Sequence, residues 1–370
     1  MKKLGFGLMR LPLLDPNDEA SIDLEQAKQM VDLFMERGFT YFDTAIMYHS
    51  CASQRAAKEI LVDRYPRDSF TLATKLHSSF FNSFEDRDRI FSEQLEQTGA
   101  GYFDYYLIHG VEASNYPKYE QFDCFRWVLE KKAQGLVRHA GLSFHDTPEL
   151  LDEILTKYPA LEFVQIQLNY LDWESESVRS RAVYEVAVKH GKPVIVMEPV
   201  KGGTLANVPA SVEALFRAAD PAMSVPSWAI RFAASLENVM VVLSGMSTLA
   251  QMEDNTGFMQ DFRPLTAEEI ALAHQAADLI SGKITVPCTA CSYCTEGCPQ
   301  QIPIPKLFAL YNEDMRENLR RKDVYEQLAA RFGRASDCIA CGRCEGVCPQ
   351  HLPIIRLLKD VAAHYTDCVS

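Results

Sequence analysis

The stretch Tyr41-Phe42-Asp43-Thr44-Ala45-Ile46-Met47-Tyr48-His49 sets a carboxylate and a phenol at the end of a short apolar run that reads as a strand. Two more apolar runs close in the same way: Lys75 follows Phe70 to Thr74, and His109 follows Tyr102 to Ile108. Asp43, Lys75 and His109 are 32 and 34 residues apart along the chain. A strand, a crossover helix and the next strand take about 30 residues, so the three side chains fall at one end of neighbouring parallel strands. A phenol has an unperturbed pKa of about 10 and becomes a usable proton donor only where something stabilises its phenolate. Lys75 is placed to do that, Asp43 to hold the ammonium, and His109 to hydrogen-bond a substrate carbonyl. The blander alternative is a strand-end ion pair beside a core histidine.

In order and in local context, Asp43, Tyr48, Lys75 and His109 resemble the Asp, Tyr, Lys and His tetrad of the aldo/keto reductases. The resemblance implies a small-molecule carbonyl or alcohol as substrate, with Tyr48 protonating an oxygen as hydride reaches the attached carbon.

Around these runs the pattern repeats. Leu4 to Leu11 reads as a first strand, and Ala27, Met30, Val31 and Phe34 mark one buried face of a helix that Gly38 stops. Helices are expected near residues 53–65, 84–97 and 119–134, and further strands at 137–145, 163–170, 193–200 and 239–245. Eight strands alternating with helices predict a (β/α)8 TIM barrel, with its active site at the C-terminal strand ends. Thr266-Ala267-Glu268-Glu269 has the form of a capping box, and Ser281-Gly282 breaks the helix it starts. The expected division is a barrel over 1–262, a linking helix over 263–282, and a small, mainly α-helical ferredoxin-like domain over 283–370.

The sixth strand places Gln165, Gln167 and Asn169 on one face at period two, where polar groups facing a barrel interior need partners. The same resemblance puts Gln165 beside a nicotinamide; an internal hydrogen-bond layer is the alternative. It also implies cofactor contacts from Ser143 on the fifth strand, Met197 on the seventh, and Ser247, Gln251 and Asn255 near the eighth. Phe144 stands where the family usually has asparagine, and Met197 where it has an aromatic ring. NAD(P)H is thus the expected nucleotide. Between Ser244 and Asn255 there is no Lys or Arg to meet a 2′-phosphate, which argues against NADPH preference.

The tail is different in kind. Cys288, Cys291, Cys294 and Cys298-Pro299, then Cys338, Cys341, Cys344 and Cys348-Pro349, have the spacing of bacterial two-cluster ferredoxins. That resemblance implies two [4Fe-4S] clusters, the fourth cysteine of each run crossing to the other cluster. Zinc is the alternative, although zinc sites more often use separated pairs of cysteines. Each run continues alike, through Gln-x-x-Pro-Ile, at an offset of 50 residues, so a duplicated module is expected. The helical composition of 305–330, with the basic Arg320-Arg321-Lys322, resembles helical ferredoxin domains of respiratory reductases. The basic triplet reads as a solvated face or as a dock for a ferredoxin or flavodoxin carrier.

The 370 residues are 47% hydrophobic and carry a formal net charge of −13, which argues against nucleic acid or an anionic membrane as partner. Residues 284–370 hold ten basic and ten acidic side chains, so the acidity belongs to the front domain. No apolar run reaches the ~18 residues of a membrane span and no signal-peptide core follows Met1, so a cytoplasmic protein is expected. Eight of eleven cysteines are clustered, while Cys51, Cys124 and Cys368 stand apart; Cys51 and Cys124 are read as packing residues. The reading is an oxidoreductase with clusters passing electrons to or from the barrel. Hydride moves two electrons and a cubane passes one, so a flavin, which a barrel binds without a separate motif, is admitted as intermediary. The rival reading is a non-enzymatic redox sensor or electron-transfer subunit with a nucleotide-binding barrel.

Overall fold

The computed structural model describes residues 2–282 and 284–366; Cys368 lies outside them. Eight parallel strands close into a barrel in sequence order. They are β1 (Leu4–Gly7), β2 (Tyr41–Asp43), β3 (Thr71–His77), β4 (Phe103–Val111), β5 (Val137–Phe144), β6 (Phe163–Gln167), β7 (Val194–Met197) and β8 (Val239–Ser244).

Side chains alternate across each strand, and that alternation builds the site. Tyr41, Ala73, Leu107, Phe163, Ile195 and Val241 point inward and form a small apolar cluster that fills the barrel. Phe42, Leu72, Ile108, Val164, Val196 and Val242 point outward into the larger core beneath the helices. Two residues further along the same inward rows come Asp43, Lys75, His109, Gln165 and Met197. The apolar layer is therefore the floor on which the polar layer stands. Gly141 belongs to this interior, since a Cβ there would sit 2.5 Å from Phe163 O.

Several element ends differ from the sequence expectation. β1 stops at Gly7 and turns into a 3-10 segment, Leu8–Arg10. Lys75 and His109 lie within β3 and β4 rather than just beyond them. β6 stops at Gln167 because Asn169 Oδ1 accepts from the Leu171 and Asp172 backbone N–H groups and turns the chain. The helix expected near 119–134 is two, Tyr116–Gln121 and Cys124–Ala133, parted at Asp123, whose φ is +50°. The helix begun at Ser53 widens into a π turn, Lys58–Val62.

The capping box at Thr266 and Glu269 is formed, and its helix, Ala267–Ser281, buries Ala273, Ala276 and Ile280 in the barrel core. A second core gathers Val286, Ile302, Leu307, Phe308, Leu352, Leu358 and Tyr365 around the clustered cysteines. The duplicated motif is repeated in the backbone. Gln301 N–H donates to Cys298 O and His351 N–H to Cys348 O, with φ +50° at both Gln301 and His351. Each copy then enters a helix behind a proline, Ile304–Glu317 and Ile354–Tyr365. No helix among the described residues is long and apolar enough to cross a membrane.

Candidate active site and cysteine cavities

Asp43, Lys75 and Tyr48 meet at the C-terminal end of the barrel. Lys75 Nζ donates to Asp43 Oδ1 at 2.6 Å and to Thr44 O at 2.8 Å, and lies 3.4 Å from the Tyr48 hydroxyl. Lys75 is fully buried and Tyr48 is 7% exposed. His109 faces Tyr48 edge-on, with ring centroids 6.1 Å apart.

Electrostatics amend the expected role of Lys75. Burial is the main influence on all four groups: it pushes the Asp43 carboxyl up, against the pull of Lys75, and the Lys75 ammonium down, against that of Asp43. Tyr48 is held well above the ordinary phenol range by burial first, then by Tyr293, Asp43 and Glu198. The phenol thus keeps its proton, while the ammonium is engaged mainly by Asp43 and Thr44. Burial, with His77, Lys75 and His145 adding to it, holds His109 well below its ordinary value, so its imidazole is neutral.

His145, at the mouth beside His109, is pushed down to about 4 by burial, then by His351 and His77. Its folded value lies below its unfolded one, so it contributes stability that is present above pH ~6.5 and lost as pH falls toward 4. The urea midpoint of the protein should decline over that window, and His145→Gln should flatten the decline; identical slopes would mean that His145 titrates alike folded and unfolded.

These residues open into a cavity of about 1430 Å³, part of it continuous with solvent. Asp43, Tyr48 and His109 line it together with Gln165, Met197, Ser247, Gln251 and Asn255. Gln165 Nε2 reaches Met197 Sδ at 3.7 Å, and its buried Oε1 accepts no hydrogen bond from the described residues. A free acceptor there suits a carboxamide donor such as that of a nicotinamide. Gln167 and Asn169 are already engaged, both donating to Asp172 Oδ2, so for them the internal layer prevails. Ser143 does not line the cavity; its hydroxyl accepts from Gly110 N–H at 2.7 Å and ties β5 to β4. Ser247 donates to Arg10 O, Gln251 Oε1 accepts from Ser247 N–H, and Asn255 donates to Ser244.

Sequence spacing missed four residues of this cavity. Arg10 enters from the turn after β1, and Glu198, a carboxyl pushed up by burial, has no hydrogen-bond partner for Oε2 among the described residues. Cys291 and Tyr293 come from the cysteine-rich tail. Short motifs report neighbours in sequence, and nothing in them signals a contact across some 240 residues.

The tail is docked on the barrel mouth by polar contacts. Gln350, two residues after Cys348, donates to Gln167 Oε1 at 2.7 Å and accepts from Lys201 Nζ at 3.0 Å. Lys201 is itself paired with Asp172 at 2.6 Å, with both side chains buried. Arg10 Nη2 donates to Thr289 O at 2.8 Å.

The eight cysteines border two small cavities. Cys288, Cys291, Cys294 and Cys348 line one; Cys298, Cys338, Cys341 and Cys344 line the other. The fourth cysteine of each run has crossed over. Among the described residues no three His, Cys, Asp or Glu side chains converge as one metal ion requires. Four thiols spaced around a cavity suit a cluster that offers each of them its own iron. Burial pushes the Cys288 thiol up to about 11 and Cys291 up to about 12, so a cationic centre is needed to hold them as thiolates. Cys298→Ser should therefore disturb the set containing Cys338, Cys341 and Cys344. Electron paramagnetic resonance of the reduced protein should show one of two cluster signals altered; loss from the Cys288 set would refute the crossing.

A model described as the aldo/keto reductase family matches residues 3–278, and one described as a 4Fe-4S dicluster domain matches residues 287–352. An aldo-keto reductase of Mycolicibacterium vanbaalenii is 28% identical over 248 residues, covering 66% of this chain and 81% of that protein. One of Mycobacterium avium is 25% identical over 243 residues, covering 62% and 79%. Among solved structures, a holo-form aldo-keto reductase from Bacillus halodurans superposes with a TM-score of 0.60 at 24% identity, over 74% of this chain and 91% of that one. An aldo-keto reductase from Klebsiella pneumoniae in complex with NADPH gives 0.58 at 17% identity, over 75% and 90%. At these identities the structural matches speak for the barrel fold.

Proposed function

The chain belongs to the aldo/keto reductase family and carries a 4Fe-4S domain, and from that premise we propose an oxidoreductase that interconverts a carbonyl and an alcohol with electrons exchanged between its two halves. The observation that carries the reading is Cys291, which lines both the barrel cavity and the first cysteine cavity. The same residue thus borders both spaces.

Cys288, Cys291, Cys294 and Cys348 would hold one [4Fe-4S] cluster, and Cys298, Cys338, Cys341 and Cys344 the other. A nicotinamide would lie against Gln165 and Met197, with Ser247, Gln251 and Asn255 toward its adenosine end and Ser143 bracing β5 behind it. When bound, the nicotinamide supplies hydride and the clusters supply single electrons. The chain's own residues handle the oxygen. Neutral His109 orients it by hydrogen bonding, Tyr48 gives or takes its proton, and the Lys75–Asp43 pair fixes the charge behind the phenol. A two-electron intermediary such as flavin reconciles hydride with single electrons, and a small ferredoxin or flavodoxin is the carrier proposed for the exposed side. Cys341 in the second set is exposed. No Lys or Arg lies between Ser244 and Asn255 to meet a 2′-phosphate, and Arg10, which lines the cavity, donates from Nη2 to Thr289 O, so NADPH is not favoured over NADH.

The test is the anaerobic absorbance of the purified protein before and after NADH, NADPH or dithionite, with mass analysis for bound flavin. Bleaching by a reduced nicotinamide alone is the expected result. Clusters that dithionite bleaches but neither nicotinamide touches, with no flavin present, would remove the internal link.

A further inference from the structure

Tyr48 is followed by three consecutive residues, His49, Ser50 and Cys51, with φ of +53°, +51° and +69°. Residues with a side chain disfavour that region, and a run of them persists only where the surroundings hold it in place. This turn is held from two directions. On one side, Ser53 N–H donates to Tyr48 O, and Ser53 Oγ donates to Leu8 O at 3.1 Å. On the other, His49 is 8% exposed and uses both ring nitrogens. Its Nε2 accepts from Leu11 N–H at 3.0 Å, so Nδ1 carries the proton and donates to Glu19 O at 2.9 Å. Leu11 and Glu19 belong to the loop that leads to the helix Leu24–Glu36, and Leu13 bridges Ile22 within it. One neutral imidazole therefore clamps two points of that loop to the residue next to Tyr48. Lys75 gives the phenol less purchase: it lies 3.4 Å away, and its ammonium is held more closely by Asp43 and Thr44 O.

We propose that His49 is a positioning residue for the proton donor: its two ring hydrogen bonds hold the left-handed turn at 49–51 against the loop after β1 and so aim the Tyr48 hydroxyl into the cavity. The inference rests on Tyr48 being the proton donor. Backbone and ring make separable demands at this position. Glycine adopts φ +53° freely but makes neither ring bond, whereas phenylalanine keeps a ring and also makes neither. A donor on a turn left free to relax samples unproductive geometries, and misplacements of this kind cost ~10-fold or more in turnover.

The experiment compares His49→Gly and His49→Phe in the full, cluster-loaded protein, with benzaldehyde as probe carbonyl and NADH or NADPH as reductant. In parallel, 3-fluorotyrosine is placed at position 48 and its 19F resonance is recorded in the oxidised protein. Thr266→Ala removes the capping box of a helix remote from Tyr48 and serves as a control for lost stability alone. The expected result is kcat lowered about 10-fold in both His49 variants with KM within about two-fold, a shifted 19F resonance and unchanged cluster absorbance, while Thr266→Ala keeps its kcat despite a lower melting temperature. A His49→Gly variant with full kcat would overturn the proposal, since the position would then ask only for a permissive backbone. So would an unmoved resonance, or an equal loss of kcat in Thr266→Ala. Should either replacement fail to fold, His49→Gln, which keeps an acceptor for Leu11 N–H, is read in the same way, and wild-type kcat with an unmoved resonance there overturns the proposal. Tyr48→Phe separates this inference from its premise: if that variant stays active the premise fails, whereas an inactive Tyr48→Phe beside a fully active His49→Gly removes the positioning role alone.

Discussion

Tyr48→Phe loses about 10²–10⁴-fold in turnover of a probe aldehyde while its affinity for NADH or NADPH stays within about two-fold. The ring keeps its packing, since Phe fills the same space and Tyr48 is only 7% exposed. What disappears is the hydroxyl that stands 3.4 Å from Lys75 Nζ at the cavity wall. Steady-state kinetics paired with a nucleotide fluorescence titration separates chemistry from binding. Full activity in this variant would move proton donation elsewhere, and Glu198 would be the next acid in the cavity: burial pushes its carboxyl up and Oε2 has no hydrogen-bond partner among the described residues.

Gly202→Ala perturbs the seam between the two halves without replacing a tetrad residue or a cysteine. Gly202 sits at φ +62°, and a Cβ there would lie 2.1 Å from Thr289 O, far inside contact distance. The clash is with backbone, so either the turn after β7 or the 288–291 segment has to move. A shift of about 1 Å at a reacting geometry costs on the order of 10²-fold. Turnover driven by dithionite should fall by that factor, whereas turnover driven by reduced nicotinamide falls much less, because Gln165, Met197 and the tetrad stay in place. Both effects come with a stability loss of about 1–3 kcal/mol from overpacking, read as a lower urea midpoint. Equal loss of both activities would mean that the tail braces the barrel and does no more.

The barrel was legible because its signal is periodic. Tyr41 with Asp43, Ala73 with Lys75 and Leu107 with His109 are pairs two residues apart on inward rows, and spacing alone brought their strands together. Strand ends were less legible, since they depend on turn chemistry such as that of Asn169, which stopped β6 early. Gln167 and Asn169 could not be told from Gln165 by pattern. Their partners, Gln350 and Asp172, decide the matter, and Gln350 arrives from a repeat 183 residues away. The sign of the influences on Tyr48 was also hidden. Lys75 could be read beside it in the motif, whereas burial, Glu198 and Tyr293 emerge only once the tail sits on the mouth. The resemblance to two-cluster ferredoxins implied that the fourth cysteine of each run crosses over, and it was silent on which set faces the barrel.

The central claim is that electrons pass between the cysteine-held clusters and the barrel cavity, and the most direct measurement is a single turnover without nicotinamide. Protein reduced with dithionite, freed of excess reductant and mixed anaerobically with benzaldehyde is frozen at intervals and read by electron paramagnetic resonance, with product quantified in parallel. With a flavin bound as the two-electron intermediary, the reduced protein holds four electrons, two in the clusters and two in the flavin, and each aldehyde takes two electrons and two protons to become alcohol, so the account predicts loss of the reduced-cluster signal with two alcohols formed per protein. A cluster signal that persists while the aldehyde stays intact, in protein that still reduces the same aldehyde with NADH or NADPH, would contradict it.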